Sequence, residues 1–199
     1  MNRLFPIFLK LETLHTLVVG GGYVGLEKIS ALLDNSPEAR ITLVAPEISQ
    51  EIRALAGSHP NLQLVMRAFK EDDLQDRDLV IVATNDKALN REIQAMAKKK
   101  KLLCNVADTP ELCDFYLSSI VQKGNLKIAI STNGLSPTAA KRIKAMLQES
   151  FPDDIDNTLN NLQQIRNYLQ GDFSAKVAEL NRITDILIRE KKHKNNSPS

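Results

Sequence analysis

Thr16-Leu17-Val18-Val19-Gly20-Gly21-Gly22-Tyr23-Val24-Gly25-Leu26-Glu27-Lys28 is the stretch that decides how this chain is read. A short apolar run ends in a glycine cluster, and a helical pattern starts at once. Gly20, Gly22 and Gly25 fit the spacing G-x-G-x-x-G, the fingerprint of a dinucleotide-binding βαβ unit. Gly20 permits the tight turn from strand to helix. Gly22 lets a pyrophosphate approach the backbone without meeting a Cβ, and Gly25 lets the helix pack closely on the strand. The phosphates would rest on unpaired N–H groups at the helix N-terminus, where the macrodipole favours anions. Glycine clusters also make ordinary turns, so the flanking pattern has to decide.

That pattern is strand, helix, strand, repeated. Leu14 to Val19 reads as a strand, Gly25 to Leu33 as a helix, and Ala39 to Ala45 as a second strand ending at Pro46. Ser49 to Ala56 has helical spacing, and Asn61 to Met66 alternates apolar and polar residues. Leu79-Val80-Ile81-Val82-Ala83 is apolar throughout, as in a strand buried on both faces. A helix over about Lys87 to Lys100 and a fifth strand over Leu102 to Val106 follow. The alternation predicts an α/β fold with a doubly wound parallel sheet. After Asp108-Thr109-Pro110 the rhythm changes. Phe115 to Val121 and Leu126 to Ser131 read as two more strands, turning at Lys123-Gly124-Asn125. Ser136 and Pro137 then start a helix running to about Ser150. Two further helices, broken near Gly171-Asp172, lead to a polar tail expected to be disordered.

Composition narrows the function classes. The chain has 199 residues, a net charge of +2, 43% hydrophobic and 25% charged residues. No bulk field would draw it to nucleic acid or an anionic membrane. No apolar run reaches the roughly 20 residues that span a bilayer, and residues 1–10 are too interrupted for a signal peptide. Cys104 and Cys113 are too few for a disulfide framework or a zinc knuckle, which suggests a cytosolic protein with reduced thiols.

Three loops fall at the carboxyl ends of predicted strands, where open α/β sheets bind ligands. The acid expected to meet an adenosine ribose arrives late, as Pro46-Glu47, and Glu47 reads equally as a helix-start residue. No arginine follows, which favours NAD over NADP. Thr84-Asn85-Asp86 lines the crevice or caps the next helix, and the two roles are compatible. Asn105-Val106-Ala107-Asp108 ends the fifth strand. Asp108 suits a base beside a nicotinamide, or only a turn. The three histidines have no partners at metal-ligand spacing, and Lys98 to Lys101 suits a solvated helix C-terminus. Lys141-Arg142-Ile143-Lys144 reads as a solvated face or as part of the Ser131 to Pro137 loop site.

Taken together these blocks resemble the precorrin-2 dehydrogenase family of siroheme biosynthesis, which includes dehydrogenase/ferrochelatase modules fused to a methyltransferase. The resemblance is carried by Phe5-Pro6-Ile7-Phe8-Leu9, by Val18 to Val24 with Glu27-Lys28, and by Thr42 to Glu47. It continues through Ala83 to Asp86 with Asn90, Cys104 to Asp108, and Ile128 to Pro137, in the family's order over about Phe5 to Leu147. It implies a Rossmann-type NAD-binding domain over 1–113, a dimerisation and substrate segment over 114–150, a helical domain over 151–191 and a tail over 192–199.

The implied reaction oxidises precorrin-2 to sirohydrochlorin with NAD as hydride acceptor, in a homodimer. Insertion of Fe²⁺ is left open because relatives differ. By motif, Gly20, Gly21, Gly22, Tyr23 and Val24 would hold the pyrophosphate, and Pro46 and Glu47 would lie near the adenosine. Thr84, Asn85, Asp86 and Asn105 would line the cofactor crevice, and Asp108 matches the key carboxylate. Ser131, Thr132 and Ser136, with Lys141 and Arg142, would meet substrate carboxylates. The chain departs from the family at Asn133, where glycine is common, at Gly25, where alanine is common, and at Ser118, which replaces a frequent proline. The rival class is a non-enzymatic NAD(H)-sensing regulatory module, which assigns no role to Asp108 or the Ser131 loop.

Overall fold

Leu79-Val80-Ile81-Val82 forms β4 (Leu79–Val82), buried at all four positions in the middle of a sheet. A strand buried on both faces has no polar side to alternate with, which is why its sequence is apolar throughout. In the computed structural model, which describes residues 4–169 and 173–189, this strand pairs in parallel with β1 (His15–Gly21) and β5 (Leu103–Val106). On the other side of β1 lie β2 (Arg40–Ile48) and then β3 (Leu62–Met66), giving the all-parallel order β3-β2-β1-β4-β5. The order reverses between β1 and β4, and a ligand crevice forms at the carboxyl ends beside such a switch point.

Two apolar layers cover the sheet. Ile29, Leu32 and Leu33 of α1 (Tyr23–Asn35) and Ile52 of α2 (Gln50–Ser58) pack with Val18, Ile41, Leu43 and Ile81 on one face. Ile93 and Ala97 of α3 (Lys87–Lys99) pack with Leu17, Val19, Val44, Val80 and Val82 on the other. The chain is therefore doubly wound, as the alternation predicted.

Two readings of local structure need correcting. Pro46 and Glu47 are not past the second strand but inside it. Pairing of β1 with β2 jumps from Val19 opposite Val44 to Gly21 opposite Ile48, so Ala45-Pro46-Glu47 forms an irregularity in the ladder. A bulge is one of the few places where a proline without an N–H fits a sheet. The second correction concerns Phe115 to Ser118, which are not strand. They lie beside β5 with Phe115 and Leu117 packed on the α1/α2 side of the sheet. The apolar alternation there is real, but it serves packing on a sheet face.

The described chain divides into two units. The sheet unit comprises residues up to 118 together with 131–137. The second unit contains β6 (Ser119–Lys123), antiparallel to β7 (Leu126–Ile130), and the helices α4 (Pro137–Ser150, from residue 138), α5 (Ile155–Tyr168) and α6 (Phe173–Arg189). Its hairpin is tied to the start of α5 by Asp156, whose Oδ1 accepts from Asn125 N–H at 2.7 Å and Asn125 Nδ2 at 2.8 Å. Lys123 Nζ donates to the Phe151 carbonyl at 2.5 Å and to Asp153 Oδ1 at 2.7 Å. The expected break at Gly171-Asp172 and the expected tail lie outside the described residues. No described helix is long and apolar enough to cross a membrane.

Candidate functional site

The glycine turn is built by close backbone approaches that forbid a side chain at three of its positions. Gly20 sits at φ +117°, and a Cβ there would collide with the Ala83 carbonyl at the end of β4. A Cβ on Gly21 would strike the Glu47 carbonyl, and one on Gly25 would strike the Gly20 carbonyl. Gly22 differs. It is the N-cap of α1, offers no capping side chain, and has nothing within 4 Å of a built Cβ. The first turn of α1 also carries no acidic residue. An uncapped helix N-terminus facing open space is an anion cradle. The residues at 20 to 24 thus fit the pyrophosphate of a dinucleotide, with Tyr23 80% exposed at its edge. Pro46 and Glu47 are exposed, and the Glu47 backbone backs directly onto Gly21.

Hydrogen bonds between strand ends place the glycine turn beside two of the predicted loops. Ala83 N–H donates to the Val19 carbonyl at 2.8 Å, and Ala107 N–H donates to the Val82 carbonyl at 2.9 Å. The glycine turn, Thr84 and the Asp108 turn therefore follow one another across the carboxyl ends of β1, β4 and β5. Thr84 is fixed by Asn90, which is 6% exposed: Thr84 Oγ1 donates to Asn90 Oδ1 at 2.5 Å, and Asn90 Nδ2 donates to the Thr84 carbonyl at 3.1 Å. Asp86 spends its carboxylate as the cap of α3, accepting from Ala88 N–H at 2.9 Å and Leu89 N–H at 3.1 Å. Asn85 is exposed beside it. Asn105 is buried, and its amide donates to the Phe115 carbonyl at 2.8 Å.

Asp108 has the most unusual geometry of the candidates. It stands exposed at φ +55°, in the left-handed region, and its carboxylate has no hydrogen-bond or ion-pair partner among the described residues. A non-glycine residue there is strained by about 1 kcal/mol. The backbone turn around it closes through Thr109 N–H to the Val106 carbonyl at 3.3 Å. The structure shows the turn reading directly, and it leaves the carboxylate exposed.

The Ser131 loop is organised from within. Ser131 Oγ accepts from Asn133 N–H at 3.2 Å, and Leu135 N–H donates to the Thr132 carbonyl at 3.0 Å. The Thr132 hydroxyl donates to the Ser136 carbonyl at 3.1 Å and accepts from Ser136 N–H at 3.2 Å. Asn133 lies at φ +55° and Gly134 at φ +76°. Asparagine tolerates that region, so the replacement of a family glycine at 133 keeps the loop's shape. Lys141 and Arg142 are exposed on α4 in the second unit.

Sequence reasoning passed over Cys113. Burial pushes its thiol pKa up, and burial likewise holds the Cys104 thiol up at about 12, so both stay protonated at neutral pH. Among the described residues no group of three or more His, Cys, Asp or Glu is placed to hold a metal. An open groove of about 600 Å³ along α5 and α6, with Asn125, Gln163, Arg166 and Thr184 in its lining, includes none of the candidate residues.

Comparison with known proteins fits this geometry. The family described as "Putative NAD(P)-binding" matches residues 7–119, more than half the chain, and the family described as "Sirohaem biosynthesis protein central" matches residues 123–150. A siroheme synthase of Nitrosomonas europaea is 39% identical over 74% of this chain. One of Psychrobacter arcticus is 36% identical over 88%. The chain spans only 30% and 31% of the lengths of those two relatives. A solved structure described as SirC, precorrin-2 dehydrogenase, superposes with a TM-score of 0.71 at 30% identity, covering 90% of this chain and 89% of that one. The chain belongs to the NAD(P)-binding family of sirohaem biosynthesis that includes this precorrin-2 dehydrogenase.

Proposed function

We propose that this chain oxidises precorrin-2 to sirohydrochlorin with NAD as hydride acceptor. The observation that carries the proposal is Asp108: an exposed, unpaired carboxylate on a strained turn, beside the strand ends that carry the open Gly22 cradle. Strained backbone with a free reactive group is characteristic of a functional residue. The relatives' names point to the same pathway step.

Backbone N–H groups from Gly20 to Val24 would bind the pyrophosphate, and Pro46 and Glu47 would flank the adenosine. When bound, NAD supplies the hydride acceptor. Oxidation of the macrocycle also releases a proton, and Asp108 would take it as a general base. Asn85 and Thr84, held by Asn90, would position the ring system over the crevice, where orientation contributes much of the rate. The internally bonded Ser131 loop, with Ser136 at the start of α4, would receive substrate carboxylates. Iron insertion stays open as a second activity; if the same site performs it, Asp108 would guide Fe²⁺ or accept pyrrole protons. The regulatory-module reading leaves the Asp108 geometry without a purpose and is not favoured.

We infer further that residues 114–150 form a dimer contact in a cytosolic homodimer. In support, β6 and β7 form a ribbon of two strands, and α4 exposes Ile143 at 39% and Met146 at 58%. A solution mass equal to the monomer at micromolar concentration would contradict this.

The activity is tested by incubating the protein with precorrin-2 and NAD and following NADH, with Asp108→Ala as control. Wild type should form NADH and the variant should fall by about a hundredfold or more. Absence of NADH from wild type sinks the proposal. Sirohydrochlorin with Fe²⁺ and no NAD tests chelation separately, and a rate equal to the protein-free rate removes it.

A further inference from the structure

We propose that Cys113 is a positioning residue for Asp108, an inference that rests on the role given to Asp108 above. β5 is an edge strand, so its outward N–H and carbonyl groups need partners beyond the sheet. The segment after the 3-10 turn Pro110–Leu112 supplies them, with one backbone N–H and two side chains. Asp114 N–H donates to the Cys104 carbonyl at 2.7 Å, and Asp114 Oδ2 accepts from Cys104 N–H at 3.0 Å. At the end nearest Asp108 the partner is the Cys113 thiol.

Cys113 Sγ accepts from Val106 N–H at 3.3 Å and from Asn105 Nδ2 at 3.5 Å. Its single S–H proton is shared between the Val106 carbonyl at 3.2 Å and the Thr109 carbonyl at 3.4 Å. Val106 and Thr109 are the two ends of the turn whose third residue is Asp108. The backbone bond closing that turn, from Thr109 N–H to the Val106 carbonyl, is long at 3.3 Å, near the limit of a useful hydrogen bond. The thiol therefore spans the base of the turn and holds a non-glycine residue in the left-handed region. Burial keeps the thiol protonated, so the S–H donor is present at neutral pH. The effect of Cys113 on Asp108 passes through the backbone of the turn.

The test uses the full chain with Cys113→Ala and Cys113→Ser. It reads kcat and KM for NAD separately and follows amide hydrogen exchange of the peptide covering 105–110. The alanine variant loses the donor and acceptor together. We expect its kcat to fall about tenfold, because small misplacements of a reacting group carry penalties of that order. Its KM for NAD should stay at the wild-type value and its exchange in 105–110 should rise. Serine restores a donor and an acceptor on a shorter bond and should recover most of both. Wild-type kcat and exchange in Cys113→Ala overturn the proposal, as does a serine variant no better than alanine. Should Cys113→Ala not fold, the serine variant decides alone: kcat within threefold of wild type supports the clasp, and a loss equal to that of Asp108→Ala overturns it. Should wild type show no precorrin-2 oxidation, the function proposed above has failed. The exchange data then judge the clasp by themselves: unchanged protection in Cys113→Ala overturns it, and lost protection regained by serine supports it.

Discussion

In the crossover between β3 and β4 and at the amino end of β1, charged groups are matched to partners. Arg67 grips Asp73 with two hydrogen bonds of 2.8 and 2.6 Å, and Lys70 N–H adds a third at 2.8 Å. Arg77 Nε donates to the Asp73 carbonyl at 3.1 Å, its Nη1 meets the His15 ring, and His15 N–H donates to Asp78 Oδ2 at 2.8 Å. At the carboxyl ends of β1, β4 and β5 the terms are reversed. There the helix start is uncapped at Gly22, Gly20 and Asp108 are at positive φ, and the Asp108 carboxylate has no described partner. In the first region most charged groups are spent on partners, although Asp76 there also stands at φ +55°. The other leaves the Gly22 helix start open and the Asp108 carboxylate exposed.

The contrast can be broken most severely within the glycine turn itself. Gly20→Ala combines positive φ with a collision against β4 backbone, so a loss of stability of about 3 kcal/mol or more is expected in chemical unfolding. Gly22→Ala, two residues on, meets open space. It should leave the unfolding midpoint nearly unchanged while weakening NAD binding by about tenfold in calorimetry, a difference of about 1.4 kcal/mol. Equal effects of the two substitutions on stability would erase the distinction between a packing glycine and a binding glycine.

Next in size is Asp73→Ala. Asp73 is 8% exposed and Arg67 holds its carboxyl below the usual carboxylate range. Removing it should lower stability by about 2 kcal/mol, with NAD affinity untouched. As its folded-state pKa is depressed, its contribution is present above its ordinary value of 3.8 and lost as pH falls below that.

His15 gives a smaller, separate effect at milder pH. Burial first, then the guanidinium groups of Arg77 and Arg40, push its pKa below the ordinary 6.5. The folded chain thus binds a proton less readily than the unfolded one. Stability should be flat above about pH 6.5 and decline as pH falls from there towards the folded-state value. His15→Gln should flatten that decline in thermal melts, and an unchanged slope would remove the assignment. The smallest effect runs the other way. Thr16 is fully buried on β1, and its hydroxyl has no partner among the described residues. Thr16→Val removes an unsatisfied polar atom at constant shape and should stabilise by about 1 kcal/mol.

Which parts were legible in the sequence follows from what made each of them. Gly20, Gly25 and the apolar run at Leu79 to Val82 are dictated by sterics and burial that act on single positions, so composition and spacing reveal them. The glycine contact with Glu47 was not visible, because it depends on a bulge that lets β2 carry Pro46 past the point where a proline usually ends a strand. Phe115 to Ser118 show strand-like alternation because Phe115 and Leu117 face a sheet surface, while their edge pairing is made by side chains. Asp108 could be singled out by its motif, but its left-handed backbone could not. Cys113 gave no signal, since a cysteine bonded through backbone atoms has no characteristic spacing.

The central claim is that the carboxyl end of the sheet gives up stability to hold a free carboxylate in place. Asp108→Gly tests it most directly, because glycine accepts φ +55° without strain. The thermal midpoint should stay level or rise, NAD affinity should be unchanged, and precorrin-2-dependent NADH formation should fall by about a hundredfold or more. Retained turnover in that variant, or a loss of stability and NAD binding together, would contradict the account.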